Sequence, residues 1–190
     1  MRERGALGLG LALALTLGVA ASQSDYAAAR RKFAAIAGDK LKPGSRVSLT
    51  RAELNAYIQL DLARRFPDGV RNLSLDLAKG AAVGSALVDF NRVRRAQGKA
   101  PGWFWGRILE GERPVRVTAR VASGNGWATV NVQEVEISGM TLDGPVLDYL
   151  VSSYVLPNYP GAKVGEAFEL GHNIDRLEIQ PGVVHVVIRR

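Results

Sequence analysis

The residues best suited to chemistry at a surface lie between Asn91 and Arg113. Arg92, Arg94, Arg95, Lys99 and Arg107 surround the run Trp103-Phe104-Trp105, which Pro101-Gly102 opens. Such a mixture suits an interface, where rings lie at headgroup depth and cations meet phosphate. Three consecutive aromatics cannot all face inward from one regular strand or helix, so at least one packs locally or reaches the surface. Two readings follow. In one, Arg94, Arg95, Lys99, Trp103, Phe104, Trp105 and Arg107 touch an anionic membrane or headgroup. In the other, the segment folds back as a plug that closes one end of the core. A plug that opens would serve both.

Other chemistry finds little footing. The two histidines, His172 and His185, have no paired His-x-x-x-His arrangement, and no cysteine is present. Cysteine-ligated zinc, disulfides and anchoring through a lipid-modified cysteine are therefore excluded. A Gly-x-Ser-x-Gly elbow is absent. Gly124 and Gly126 lie between strands rather than before a helix, which makes them turn residues and not a phosphate cradle. Asp76 and Asp89 sit on the polar phase of their strands and read as solvated. The expectation is a protein with no catalytic residues, no metal and no cofactor.

The chain has 190 residues, 47% of them hydrophobic, and a formal net charge of +7. That charge favours anionic partners. Arg2 and Arg4 precede an uncharged stretch from Gly5 to Ala20, and Val19-Ala20-Ala21-Ser22 supplies small residues where a signal peptidase cuts. Residues 1–21 are read as a signal peptide and residues 22–190 as one exported domain, periplasmic or extracellular. The competing reading is a retained anchor, which would want roughly 20 apolar residues. Export makes nucleic acid the least suitable anionic partner and leaves lipid or an envelope protein.

Ser24 to Ala37 reads as a helix ended near Gly38, and Arg46 to Leu49 as a short strand. Thr50 and Glu53 form a capping box for a helix from Arg51 to Phe66, whose stripe includes Leu54, Tyr57, Ile58 and Leu62. The period then becomes two. Leu73, Leu75 and Leu77 share a strand face, and Val83 to Val93 reads as a second strand whose Gly84, Ala86, Val88 and Phe90 share another. Val115, Val117, Ala119 and Val121 lead into the hairpin signal Ser123-Gly124-Asn125-Gly126. Leu147, Leu150, Val151 and Tyr154 form a second helical stripe. Ile174 to Ile179, Pro181-Gly182 and Val183 to Ile188 make a last hairpin. The fold class is α+β, a twisted antiparallel sheet wrapped around or covered by amphipathic helices.

The stretch Val47-Ser48-Leu49-Thr50, Glu53-Leu54-Asn55-Ala56-Tyr57-Ile58 and the alternating strands up to Phe90 resembles bacterial envelope proteins of the YpmS and YceB types. So does the segment Leu142 to Tyr154. These families look like members of the TULIP superfamily, in which a twisted sheet wraps a long helix and leaves a groove for lipid. The resemblance implies a TULIP-like, non-catalytic binder of lipid or another apolar ligand. In that reading Leu54, Ile58 and Leu62 face Leu73, Leu75 and Leu77, the small Gly84 and Ala86 border the groove, and Leu147, Leu150, Val151 and Tyr154 close its other side. The alternative is a periplasmic interaction or structural module with a solid core.

Overall fold

Both periods read from the sequence are realised, as two antiparallel sheets with helices packed against them. The computed structural model describes residues 6–66, 68–96, 110–142, 144 and 164–190. In chain order the elements are α1 (Ala6–Ala37), β1 (Arg46–Thr50), α2 (Arg51–Leu60), a 3-10 turn (Leu62–Arg65), β2 (Val70–Ala78), β3 (Ala81–Asp89), α3 (Phe90–Ala96), β4 (Glu112–Gly124), β5 (Trp127–Ile137), β6 (Met140–Leu142), β7 (Ala167–Glu169), β8 (Ile174–Gln180) and β9 (Val183–Ile188). The small sheet has the order β1-β9-β8. The large sheet runs β2-β3-β4-β5-β6, with β7 beside the start of β5.

The small sheet and its helices hold one core. Leu49, Val186, Ile188 and Ile174 turn their side chains to the face where Ile36 of α1 is buried, and Phe33 and Leu54 pack against the same cluster. α1 and α2 meet through Phe33 and Tyr57, whose ring centroids are 4.7 Å apart. α2 starts where it does because Thr50 and Glu53 close the expected capping box. The Glu53 carboxylate also accepts from Lys32 Nζ at 2.6 and 2.7 Å, and the same ammonium reaches the Ser48 carbonyl at 2.7 Å. One ion pair thereby ties α1, β1 and α2 together.

Turn chemistry sets the large sheet. Asn125 and Gly126 have φ of 54° and 84°, and Ser138 and Gly139 have 52° and 82°. Two successive positive φ values are what a two-residue hairpin loop needs, and its twist matches that of the flanking strands. The two sheets meet at β8. The Gly80 amide donates to the Ile179 carbonyl at 3.0 Å and the Gly126 amide to the Asp175 carbonyl at 2.7 Å. Ser123 Oγ bonds both the carbonyl and the amide of Leu177. The turn ends of β2–β3 and β4–β5 therefore abut β8.

Several expected boundaries move. The first helix begins at Ala6 rather than Ser24 and passes the Ala21-Ser22 junction unbroken. No described helix is long and apolar enough to cross a membrane. The helix expected to reach Phe66 gives way after Leu60 to a 3-10 turn. The second strand stops at Asp89, not Val93, because Asp89 Oδ1 accepts the Arg92 amide at 2.9 Å and caps α3. β7 has only three residues, too few to show alternation.

α2 also corrects the expected helix-on-sheet arrangement. Leu54 joins the small-sheet core, and α2 meets the large sheet along the outer edge of β2. Asn55 takes the place of a missing strand there: its Nδ2 donates to the Leu75 carbonyl at 2.8 Å and its Oδ1 accepts the Leu75 amide at 2.7 Å. A side-chain amide satisfying both groups of an edge residue blunts an otherwise open strand. Asn55→Ala should cost about 2 kcal/mol, near 1 for each hydrogen bond, whereas the exposed Gln59→Ala should change little. Urea midpoints of the two variants check this.

Candidate functional site

Strand register gives the large sheet two unlike faces. Opposed residues of an antiparallel pair point the same way, so Leu75, Gly84, Val117, Val135 and Leu142 form one rung across five strands. Leu77, Ala82, Ala119 and Val132 form the next, and Ala86, Val115 and Ile137 flank the first on its other side. Phe90, Val135 and Ile137 are buried here, with Val88, Val115, Val117, Val132 and Leu142 packed on them. The remaining lane is half-buried. A Cβ placed on Gly84 meets nothing within 4 Å among the described residues. Gly84, Ala82, Ala86 and Ala119 thus leave an apolar trough bounded by larger Leu and Val side chains.

The opposite face is polar. Ser74, Ser85 and Arg116 lie in one rung and Asp76, Val83 and Thr118 in the next. Arg51 reaches Asp76 at 3.4 Å. The Leu77 amide, and then Arg51, hold the Asp76 carboxyl below the ordinary carboxylate range. Arg71 pairs with Glu112 at the other end. Of the two aspartates expected to be solvated, Asp76 faces solvent on this side and Asp89 caps α3.

The expected groove residues separate into three groups. Leu73, Leu75, Leu77, Gly84 and Ala86 belong to β2 and β3, with Leu75, Gly84 and Ala86 on the trough. Leu54 and Ile58 lie on α2 and Leu62 in the following turn, and the edge position of α2 directs Leu54 to the other core. Leu147, Leu150, Val151 and Tyr154 lie outside the described residues. Of the proposed headgroup contacts, Arg94 and Arg95 lie on α3 and Arg95 is exposed; Lys99, Trp103, Phe104, Trp105 and Arg107 are outside the described residues.

One residue on this face was missed. Val88 opposes Arg113, so the Val115–Val121 alternation, carried two residues back, puts Arg113 on the apolar side. It is the only charged residue that the pairing of β2 to β6 places there.

Two polar groups lie elsewhere. Ser48 Oγ is 2.8 Å from His185 Nδ1 across β1 and β9. Glu178 opposes His185 on β8, but its carboxylate is held by Arg46 at 2.7 Å and Arg176 at 2.8 Å, so it does not orient the imidazole. Next to it, Arg46, Asp175, Arg176, Val187, Arg189 and Arg190 line a hollow of about 450 Å³. His172 lies 3.8 Å from Asp39 in an exposed loop contact. Among the described residues no group of three His, Cys, Asp or Glu side chains is placed to hold a metal.

No family model, curated protein or solved structure matches this chain.

Proposed function

We propose that this protein is an exported, non-catalytic binder of lipid or another single-chain apolar ligand in the cell envelope, using its large sheet as the wall of a TULIP-like groove. The observation that carries the reading is the trough over Gly84 and Ala86, apolar on both sides and open above Gly84 among the described residues. Its reach suits an acyl chain. From Arg113 to Val121 the strand runs roughly 26 Å at about 3.3 Å per residue, against about 15 Å for the hydrocarbon of one leaflet. Burying about ten methylenes at about 0.8 kcal/mol each gives about 8 kcal/mol, sufficient for micromolar binding before ordering costs. The chain's net charge of +7, of which Arg2, Glu3 and Arg4 supply only +1, and the exposed Arg92 and Arg95 on α3 favour approach to an anionic surface.

The trough-filling variant Ala86→Trp tests this reading. It should lower acyl-ligand binding at least about tenfold while leaving the melting temperature near that of the parent. A solidly packed sheet face would instead be overpacked, destabilised by about 1–3 kcal/mol, and would support the interaction-module alternative. Equal uptake of a fluorescent fatty acid by parent and variant removes the ligand from this trough.

A further inference from the structure

Arg113 gives the trough a chemical polarity. Its Nε is buried and has no hydrogen-bond partner, and no ion pair of Arg113 occurs among the described residues. An arginine half-buried on an otherwise apolar face, without a counter-charge, is unfavourable. Arg71, near the same end of the sheet, is by contrast paired with Glu112 on the opposite face.

The two ends of the trough are also unlike. At one end the β4–β5 hairpin abuts β8 through Ser123 and Leu177. At the other, Arg113 lies opposite Val88, just before β3 passes into α3 with its exposed Arg92 and Arg95. An occupant with an apolar chain and one anionic end satisfies both. The chain lies over Gly84 toward the end that abuts β8, and the anion meets the unpaired guanidinium, whose fork donates two parallel hydrogen bonds to a carboxylate.

We infer that the preferred ligand is a single-chain anionic amphiphile, a fatty carboxylate, bound with its head at Arg113 and its chain along the Gly84 trough. The inference rests on the groove reading and adds the head chemistry and the direction of binding.

Competition against a neutral apolar naphthylamine dye, with oleate and oleyl alcohol as competitors, tests it on the full chain. Oleate should displace the dye at least about tenfold more tightly than the alcohol, a difference of about 1.4 kcal/mol. In Arg113→Met that preference should collapse while the dye still binds, and the melting temperature should hold or rise because a half-buried unpaired charge has gone. Arg113→Gln serves as a second neutral variant if the first does not fold, and Arg120→Met, on the polar face, should keep the preference. Equal binding of oleate and alcohol by the parent, or a preference that survives both neutral variants, overturns the head assignment and leaves the groove reading standing. Failure of the parent to bind dye, acid or alcohol overturns both.

Discussion

Replacing Lys32 by Met should cost about 2–3 kcal/mol of stability at neutral pH, because it strips the ammonium from a carboxylate that is almost enclosed. The Glu53 side chain is 10% exposed and that of Lys32 33%, so the pair lies between a surface bridge and a buried one, and hydrogen bonds to a charged group carry about this weight. Burial raises the Glu53 carboxyl, but the Lys32 ammonium and the Thr50 amide outweigh it and hold the group below the ordinary carboxylate range. The sign of the pH effect follows. A depressed carboxyl contributes stability above its unfolded value and loses it as pH falls through the folded one. The gap between parent and Lys32→Met should therefore be widest near neutrality and narrow in acid as Glu53 protonates. Urea unfolding at neutral pH and in the acid range measures both numbers, and a gap constant across that range would show that the pair is not what the substitution removed.

Leu49→Ala should lose about 2–5 kcal/mol, the cost of deleting a large side chain from a closed core. Leu49 is 3% exposed and lies in the cluster with Ile36, Ile174, Val186 and Ile188. Leu75→Ala, on the half-buried trough, should cost only about 1 kcal/mol. The contrast separates the two sheets by role. One holds the fold together, and the other, in the proposed reading, keeps apolar surface available for a ligand. Equal and large losses at both positions, read from denaturant midpoints, would mean that the trough is packed as tightly as the core.

Much of this division is visible in the amino-acid order. Thr50 and Glu53 cap α2 as their spacing requires, and Asn125-Gly126 and Pro181-Gly182 fall at the tips of the β4–β5 and β8–β9 hairpins. What the sequence hid is side-chain work done at a distance. Asn55 looks like a neutral polar residue within a helix, yet it satisfies the edge of β2 twenty residues on. Asp89 looks like the wet side of a strand, yet it caps a helix. Lys32 gives no local sign that its partner is Glu53. Arg113 is legible in principle, since the alternation of Val115 to Val121 carried two residues back assigns its face. For the trough, periodicity assigned Gly84 and Ala86 to one face. Which residues oppose them across β4 is a matter of register, and only the paired strands supply it.

Native mass spectrometry of the full chain after incubation with phospholipid vesicles containing oleate addresses the groove most directly. The expected spectrum carries one acyl ligand per protein, and that adduct is diminished in Ala86→Trp. A parent protein that remains at its bare mass after incubation, with no ligand in its organic extract, would contradict a lipid-binding groove.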